Sequence, residues 1–461
     1  MVTGRQALAG LWVLAGGEPE ALGRVEMTGA DPQLPSSFRV GTVAQASIAA
    51  SGLAAAEMHR QRTGIAQRVA VDMRHAAIEF RSERYLRIIG QEPPPSWDPL
   101  AGVYKASAGR FVRLHTNFAH HRQAVLDTLQ CDGTREAVQA ALLNWDAEAF
   151  ETAAYAKGGA VAAMRSPAEW SAHPQGKAIA QLPVMKISRI GEAPLRPLPA
   201  GERPLSGIRV LDLSRVIAGP VAGRTLAAHG ADVLLIASPN LPSIPWLVID
   251  TGRGKRSAHV DLATEAGRAT LRGLLADADI FSQGYRPQSI AGLGFSPDEA
   301  ARIRPGIVYV TLSAYGAAGP WSGRRGFDSL VQTTTGINHM EAEAAGVAGP
   351  KELPAQALDH ASGYLMAFGA IMARARQARE GGSWHVEVSL AQTGRWLESL
   401  GRLDGGLAGP DPKLDEIADL LEDCASGFGQ LRAVRHTARL SVTPARWTRP
   451  SVLLGTNAPT W

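Results

Sequence analysis

GIRVLDLSRVIAGPVAGRTLAAHGADVLLIAS, residues 207–238, decides the fold. Its opening, GIRVLDLS, is a short continuous apolar run of the kind that a strand buried on both faces requires. RVIAGPVAGRTLAAHG then reads as a helix, with Pro220 near its first turn and Gly230 closing it. ADVLLIAS returns as a second buried strand, so the segment is a βαβ unit. The pattern runs on, with strands predicted at 258–262, 278–282 and 307–313 and a helix at 264–276. Strands alternating with helices predict an α/β fold, a doubly wound and mostly parallel Rossmann-like sheet.

Upstream, LRPLPAGERPLS begins at Leu195 and replaces apolar periodicity with proline, glycine and charge. We read 195–205 as a linker. The N-terminal half, 1–194, then forms a second, smaller α+β part, 206–400 forms the large domain, and 401–461 is a tail returning to the fold. Within the N-terminal half the sequence predicts a helix over 44–59, a turn at Gly64, a strand at 68–73 and a hairpin in GVYKASAGRFVRL (102–114). A shift of 317 positions aligns Thr42–Met73 with Asp359–Leu390 without a gap; Gly52 matches Gly369, Gly64 matches Gly381 and Val69 matches Val386. This points to an internal duplication, set against two unrelated alanine-rich units.

The 461 residues are 45% hydrophobic and 20% charged, enough apolar material for a sizeable core. The net charge of +4 is spread along the chain and not gathered into a basic stripe, which argues against nucleic acid and suits an anionic small molecule. Cys131 and Cys424 are the two cysteines and form no CxxC pair, so neither a zinc knuckle nor a disulfide framework is expected. The first twenty residues lack a convincing basic leader, and no apolar run reaches the roughly 18 residues needed to span a bilayer. The cytoplasm is the expected compartment, with no membrane partner.

Read in order, the motifs of the second half resemble the class III CoA-transferases, the CaiB/BaiF group. They are LDLSRVIAGPVAGRTLAAHGADVLLI (211–236), RGKRSAHVDL (253–262), ADIFSQGYRPQSIAGLGF (278–295), VTLSAYGAAGP (310–320), GFDSLVQ (326–332) and ALDHASGYLMAFGAI with VEVSL (357–390). The N-terminal half resembles the portion normally found later in such chains, so the arrangement looks fused or rearranged. From the residues alone, Asp359 either caps the apolar helix that follows it or presents a carboxylate to a cleft at a positive helix end. The resemblance implies the second, with Asp359 as the nucleophile in moving CoA from an acyl-CoA thioester to a free carboxylic acid. It also implies CoA contacts from Arg215, Val216 and Ala218, from Lys255 and Arg256, from Gly284, Tyr285 and Arg286, and from Arg325. No resident cofactor or metal is implied, CoA being the substrate, and a homodimer is expected.

Departures from the family pattern include Ala237-Ser238 where an acidic residue usually ends the second strand, and Gly252 where asparagine is common. Thr42 stands at the repeat position of Asp359, which leaves one nucleophile per chain. Two rivals follow. A 2-methylacyl-CoA racemase needs a second acid–base group; Phe327 occupies the position of its histidine, while Thr116 and Asn117 lie where its glutamate is expected, leaving His115, His120 and His121 as substitutes. A non-catalytic acyl-CoA binder is the other. A nicotinamide enzyme is disfavoured because AGPVAGR lacks the GxGxxG spacing.

Overall fold

The computed structural model describes residues 2–286 and 288–461; Met1 and Pro287, the latter inside the 278–295 motif, lie outside the described residues. The centre is a seven-stranded sheet of β1 (Met185–Gly191), β2 (Arg209–Leu213), β3 (Asp232–Ala237), β4 (Lys255–His259), β5 (Ile280–Gln283), β6 (Val308–Ser313) and β7 (Ser383–Ser389), in the order β4-β3-β2-β5-β6-β7-β1. All neighbours are parallel except β1, which closes the edge antiparallel to β7. Chain order therefore reverses between β2 and β5. The α/β expectation holds at the level of a mixed fold built on this mostly parallel sheet. Small three-stranded sheets flank it.

The edges of the predicted elements moved in instructive ways. The strand expected at 258–262 lies at Lys255–His259, because residues 255–259 pair with Val233–Ala237 before the chain turns away. The boundary read at 195 does not separate two sheets: β1 precedes it yet belongs to the large sheet. The tail likewise returns far back along the chain. Leu421–Ser426 and Gly429–Val434 form a hairpin whose second strand pairs with Arg87–Ile88, and Arg439–Leu440 pairs with Val69–Asp72.

Four helices position the site: α1 (Val40–Thr63), α2 (Ala218–Ala228), α3 (Asp328–Thr334) and α4 (Ala357–Glu380). α1 and α4 pack against each other, and both are buried over most of their length. An all-round buried helix must be lined with small side chains where backbones approach. In α4 a Cβ on Gly363 would stand 2.5 Å from the Ala218 carbonyl oxygen and 2.8 Å from Val221 Cβ.

The repeat extends into three dimensions. α1 and α4 are both 24 residues long and start 317 positions apart, 40 against 357. Each is followed by a positive-φ glycine, Gly64 at 78° and Gly381 at 68°, then a strand and a helix. The first-turn amides match too. Thr42 N donates to Asp31 Oδ2 at 3.0 Å, and Asp359 N donates to Asp328 Oδ2 at 2.9 Å.

Candidate active site

Loops leaving the carboxyl ends of β2 to β6 converge on a cleft of about 740 Å³. They contribute Leu213–Ala218, Ser238, Asn240 and Leu241, Val260–Ala263, Gly284–Arg286 and Ser313–Ala314 to its lining. A parallel sheet places its ligand crevice at such ends, where chain order reverses and the loops on either side diverge. The N-terminal half adds Phe118, His120, His121 and Gly158. Both halves of the chain thus line one cleft.

Asp359 lines this cleft and is 8% exposed. It is the third residue of α4, not its cap: Gln356 flanks the helix and no side-chain cap bond forms there. The helix begins two residues before Asp359 because Ala357 and Leu358 already have helical geometry. Asp328 opens α3, accepts the Asp359 amide, and takes a hydrogen bond from Gln332 Nε2; Gln332 Oε1 in turn accepts the Leu353 amide at 3.0 Å. Burial, then the charges of Asp328 and Glu83, push the Asp359 carboxyl well above the usual carboxylate range. Burial also raises Asp328, against the pull of its hydrogen bonds.

Arg215, Val216, Ala218, Gly284, Tyr285, Arg286 and Arg325 all line the cleft. Among the described residues no carboxylate pairs with Arg215, Arg286 or Arg325. The Arg215 guanidinium donates to the Pro242 carbonyl and lies over the Phe118 ring at 5.2 Å; Arg325 donates to Gly159 O at 3.2 Å. These three guanidiniums leave the cleft with a positive charge that an anionic ligand would neutralise.

Lys255 and Arg256 lie outside the lining, contrary to the expectation that they reach a nucleotide. Lys255 is 2% exposed, its ammonium held by Asp212 Oδ2 at 2.9 Å and Pro220 O at 2.8 Å. Gly223 makes room for it: a Cβ there would stand 2.8 Å from Nζ. Arg256 pairs with Asp232 at 2.9 Å and donates to Thr460 O at 2.7 Å, tying β4 to the tail. Both cations hold the fold together. The adjacent pair reads as a basic patch in sequence, but strand alternation sends its two side chains to opposite faces.

The structure also places the histidines read as acid–base substitutes, and adds groups that the sequence did not single out. Gly158 and Arg324 join the lining, and His120 and His121 lie with ring centroids 4.1 Å apart. Burial, then the positive neighbours, pushes His121 down to about 3. His115 stacks face to face on Phe327 at 3.8 Å, outside the lining. Thr116 and Asn117 hold their own loop, bonding Asp98 at 2.8 Å and Ser96 O at 3.0 Å. Behind Asp359, His360 Nε2 meets Glu83 Oε2 at 3.0 Å. The one local hint of this constellation was the Asp328–Gln332 spacing within GFDSLVQ, four residues apart on one helix face.

A family model described as CoA-transferase family III matches residues 6–195 and 205–413, nearly the whole chain. The chain belongs to CoA-transferase family III. Among family III relatives, an acetyl-coenzyme A transferase of Hypoxylon pulicicidum is 35% identical over 208 residues, 44% of this chain and 35% of that one. An acyl-CoA transferase of Gibberella moniliformis is 27% identical over 406 residues, covering 78% of this chain and 70% of the relative. A succinyl-CoA:glutarate CoA-transferase of Mus musculus is 32% identical over 185 residues, 37% of this chain and 41% of that one. The chain thus spans about a third to a half of the length of most such relatives. No helix among the described residues is long and apolar enough to cross a membrane.

Proposed function

We propose that this family III chain transfers coenzyme A between an acyl-CoA thioester and a free carboxylic acid, with Asp359 as the nucleophile. The observation that carries this reading is that Asp359 lines the same cleft as three arginines lacking carboxylate partners. A polyanionic thioester suits such a cleft, and a carboxylate is the group needed to take the acyl carbon. The strand order β4-β3-β2-β5-β6-β7 is, in sequence order, 3-2-1-4-5-6, which supports reading the sheet as doubly wound and Rossmann-like.

The chemistry balances without a co-reactant. An Asp359 oxygen attacks the thioester carbonyl, and collapse of the tetrahedral adduct expels CoA thiolate and leaves an acyl–aspartyl anhydride. The thiolate then attacks the Asp359 carbonyl carbon, releasing the donor acid as its carboxylate and forming an aspartyl-CoA thioester. The acceptor carboxylate attacks that carbonyl, expelling the thiolate and forming a second anhydride. The thiolate finally attacks the acceptor acyl carbon, which frees Asp359 and the new acyl-CoA. On this reading the Ala218 and Gly219 amides at the start of α2, two residues of the cleft lining, are the donors to the oxyanion. On this reading the protein acts as a homodimer in the cytoplasm.

The raised pKa makes proton loss from Asp359 a prerequisite, so adduct formation climbs with pH through that carboxyl's titration. The test is to incubate the protein with acetyl-CoA, succinyl-CoA and a long-chain acyl-CoA without acceptor, then quench with hydroxylamine. A CoA-sized adduct or hydroxamate on the Asp359 peptide, lost in Asp359→Ala, is the expected result. Its absence with every donor, alongside measurable CoA binding, overturns the reading. His120 and His121 in the cleft favour one second reading, proton exchange α to the thioester carbonyl. Deuterium uptake from solvent at that carbon without CoA transfer would support it.

A further inference from the structure

The side of Asp359 away from the cleft is charged as well, and its charge comes from the N-terminal half. Glu83 sits in a one-turn helix, Ser82–Tyr85, fixed from three directions. Trp246 Nε1 donates to Glu83 O at 3.0 Å, and Ser82 Oγ donates to Asp250 Oδ2 at 2.7 Å. Arg224 binds both Asp250 at 2.8 Å and Glu79 at 2.7 Å, and Tyr364 of α4 donates to the same Glu79 oxygen at 2.9 Å. This buried network joins α2, α4 and the N-terminal segment into one rigid block. Its outermost member, Glu83, reaches His360, the residue following Asp359. The His360 ring is 1% exposed and stacks on Phe80 at 5.4 Å, so the imidazole cannot turn aside.

We propose that Glu83 and His360 are positioning residues for the Asp359 carboxylate, so that Glu83, from the N-terminal half, takes part in the reaction without touching substrate. Glu83 places a fixed negative charge behind the nucleophile and His360 offsets it. Burial pushes Glu83 up, but the hydrogen bond and charge of His360 outweigh it and hold Glu83 below the usual carboxylate range. The charged groups facing this pair and Asp359 from the packed elements are Asp328 on α3, Arg224 on α2, Asp250, Arg84 and Glu79. Asp328 among these, and Glu83 itself, bear on Asp359 with the same sign. Because Asp359 is the nucleophile only on the transferase reading, the inference rests on that reading for its consequence in catalysis.

The titration of Asp359 can be followed without turnover, as the carboxyl band in infrared difference spectra of the protein minus Asp359→Asn. Glu83→Gln keeps the hydrogen-bond acceptor and removes the charge. It is expected to lower the Asp359 midpoint by about one pH unit, making the carboxylate about tenfold more populated on the acid side. His360→Gln uncovers Glu83 and is expected to raise the midpoint by a similar amount. Glu83→Asp, which keeps the charge, leaves the midpoint near that of the parent. The pH profile of adduct formation should move with each midpoint. Folded variants with unmoved midpoints, or shifts of one sign in both variants, overturn the proposal. Opposed midpoint shifts in a protein that forms no adduct at any pH support the positioning roles and sink the transferase reading instead.

Discussion

Asp359 carries two demands that conflict. As the nucleophile proposed above it must ionise, yet burial, Asp328 and Glu83 all oppose its charge. A carboxyl whose pKa is higher folded than unfolded binds more protons in the native state. It therefore subtracts stability as pH rises through the window from the ordinary aspartate value to the raised one, and the full penalty is present above that window. Asp359→Asn removes the penalty while keeping size and shape. The variant is expected to be more stable than the parent at pH 8, with the difference fading towards pH 4, in urea titrations at both pH values. Loss of the adduct should accompany that gain. Lys255 shows the opposite limit at this scale: a residue placed by resemblance at a phosphate is consumed by Asp212 and a carbonyl inside the fold.

Between elements, glycine decides how close the helices come. Gly363 lets α4 approach the first turn of α2, whose Ala218 carbonyl would lie 2.5 Å from an added Cβ. Backbone cannot yield as a flexible side chain can, so Gly363→Ala is expected to push the two helices apart and destabilise by about 1–3 kcal/mol. Because α2 begins at the cleft loop and α4 carries Asp359, CoA affinity should fall with stability, as equilibrium binding would show. Gly10 is the contrasting case. It is exposed in the middle of helix Gly4–Leu14, with nothing within 4 Å of an added Cβ. Gly10→Ala is expected to stabilise by about 0.5–1 kcal/mol, mainly by restricting the unfolded chain, and to leave CoA binding unchanged.

Across the whole molecule, the returning tail is seated on histidines that must stay neutral. Burial pushes His75 down to about 4 and, with Arg203, pushes His229 down to about 3; His436 in the tail is lowered by burial and by His229 beside it. His229 and His436 meet edge to face at 5.1 Å, and His75 bonds Arg435 O at 3.1 Å. The unfolded chain takes up protons at these positions near pH 6.5 while the folded one does not. Stability is therefore retained above about pH 6.5 and lost on acidification, by roughly 1 kcal/mol per pH unit for each such histidine. Melting temperatures measured from pH 7.5 to 5 should fall accordingly, and the slope should be shallower in His229→Asn. A slope unchanged by that substitution would rule out His229 as a source.

By itself, the sequence determined the alternating strands and helices, the hairpin at 102–114 and the matching helix–turn–strand units 317 positions apart. Each of these rests on periodicity, turn residues or local matching, which short stretches of chain encode. Only the tertiary structure decided that Lys255 and Arg256 serve the fold while Arg215, Arg286 and Arg325 face the cleft. It alone brought Phe118 and His121 to the cleft, Glu83 to His360 across 277 residues, and Arg435 of the tail to His75 across 360. The reason is physical: charge and burial at a site depend on which distant surfaces exclude water from it. A linear sequence fixes that only after the whole chain has packed.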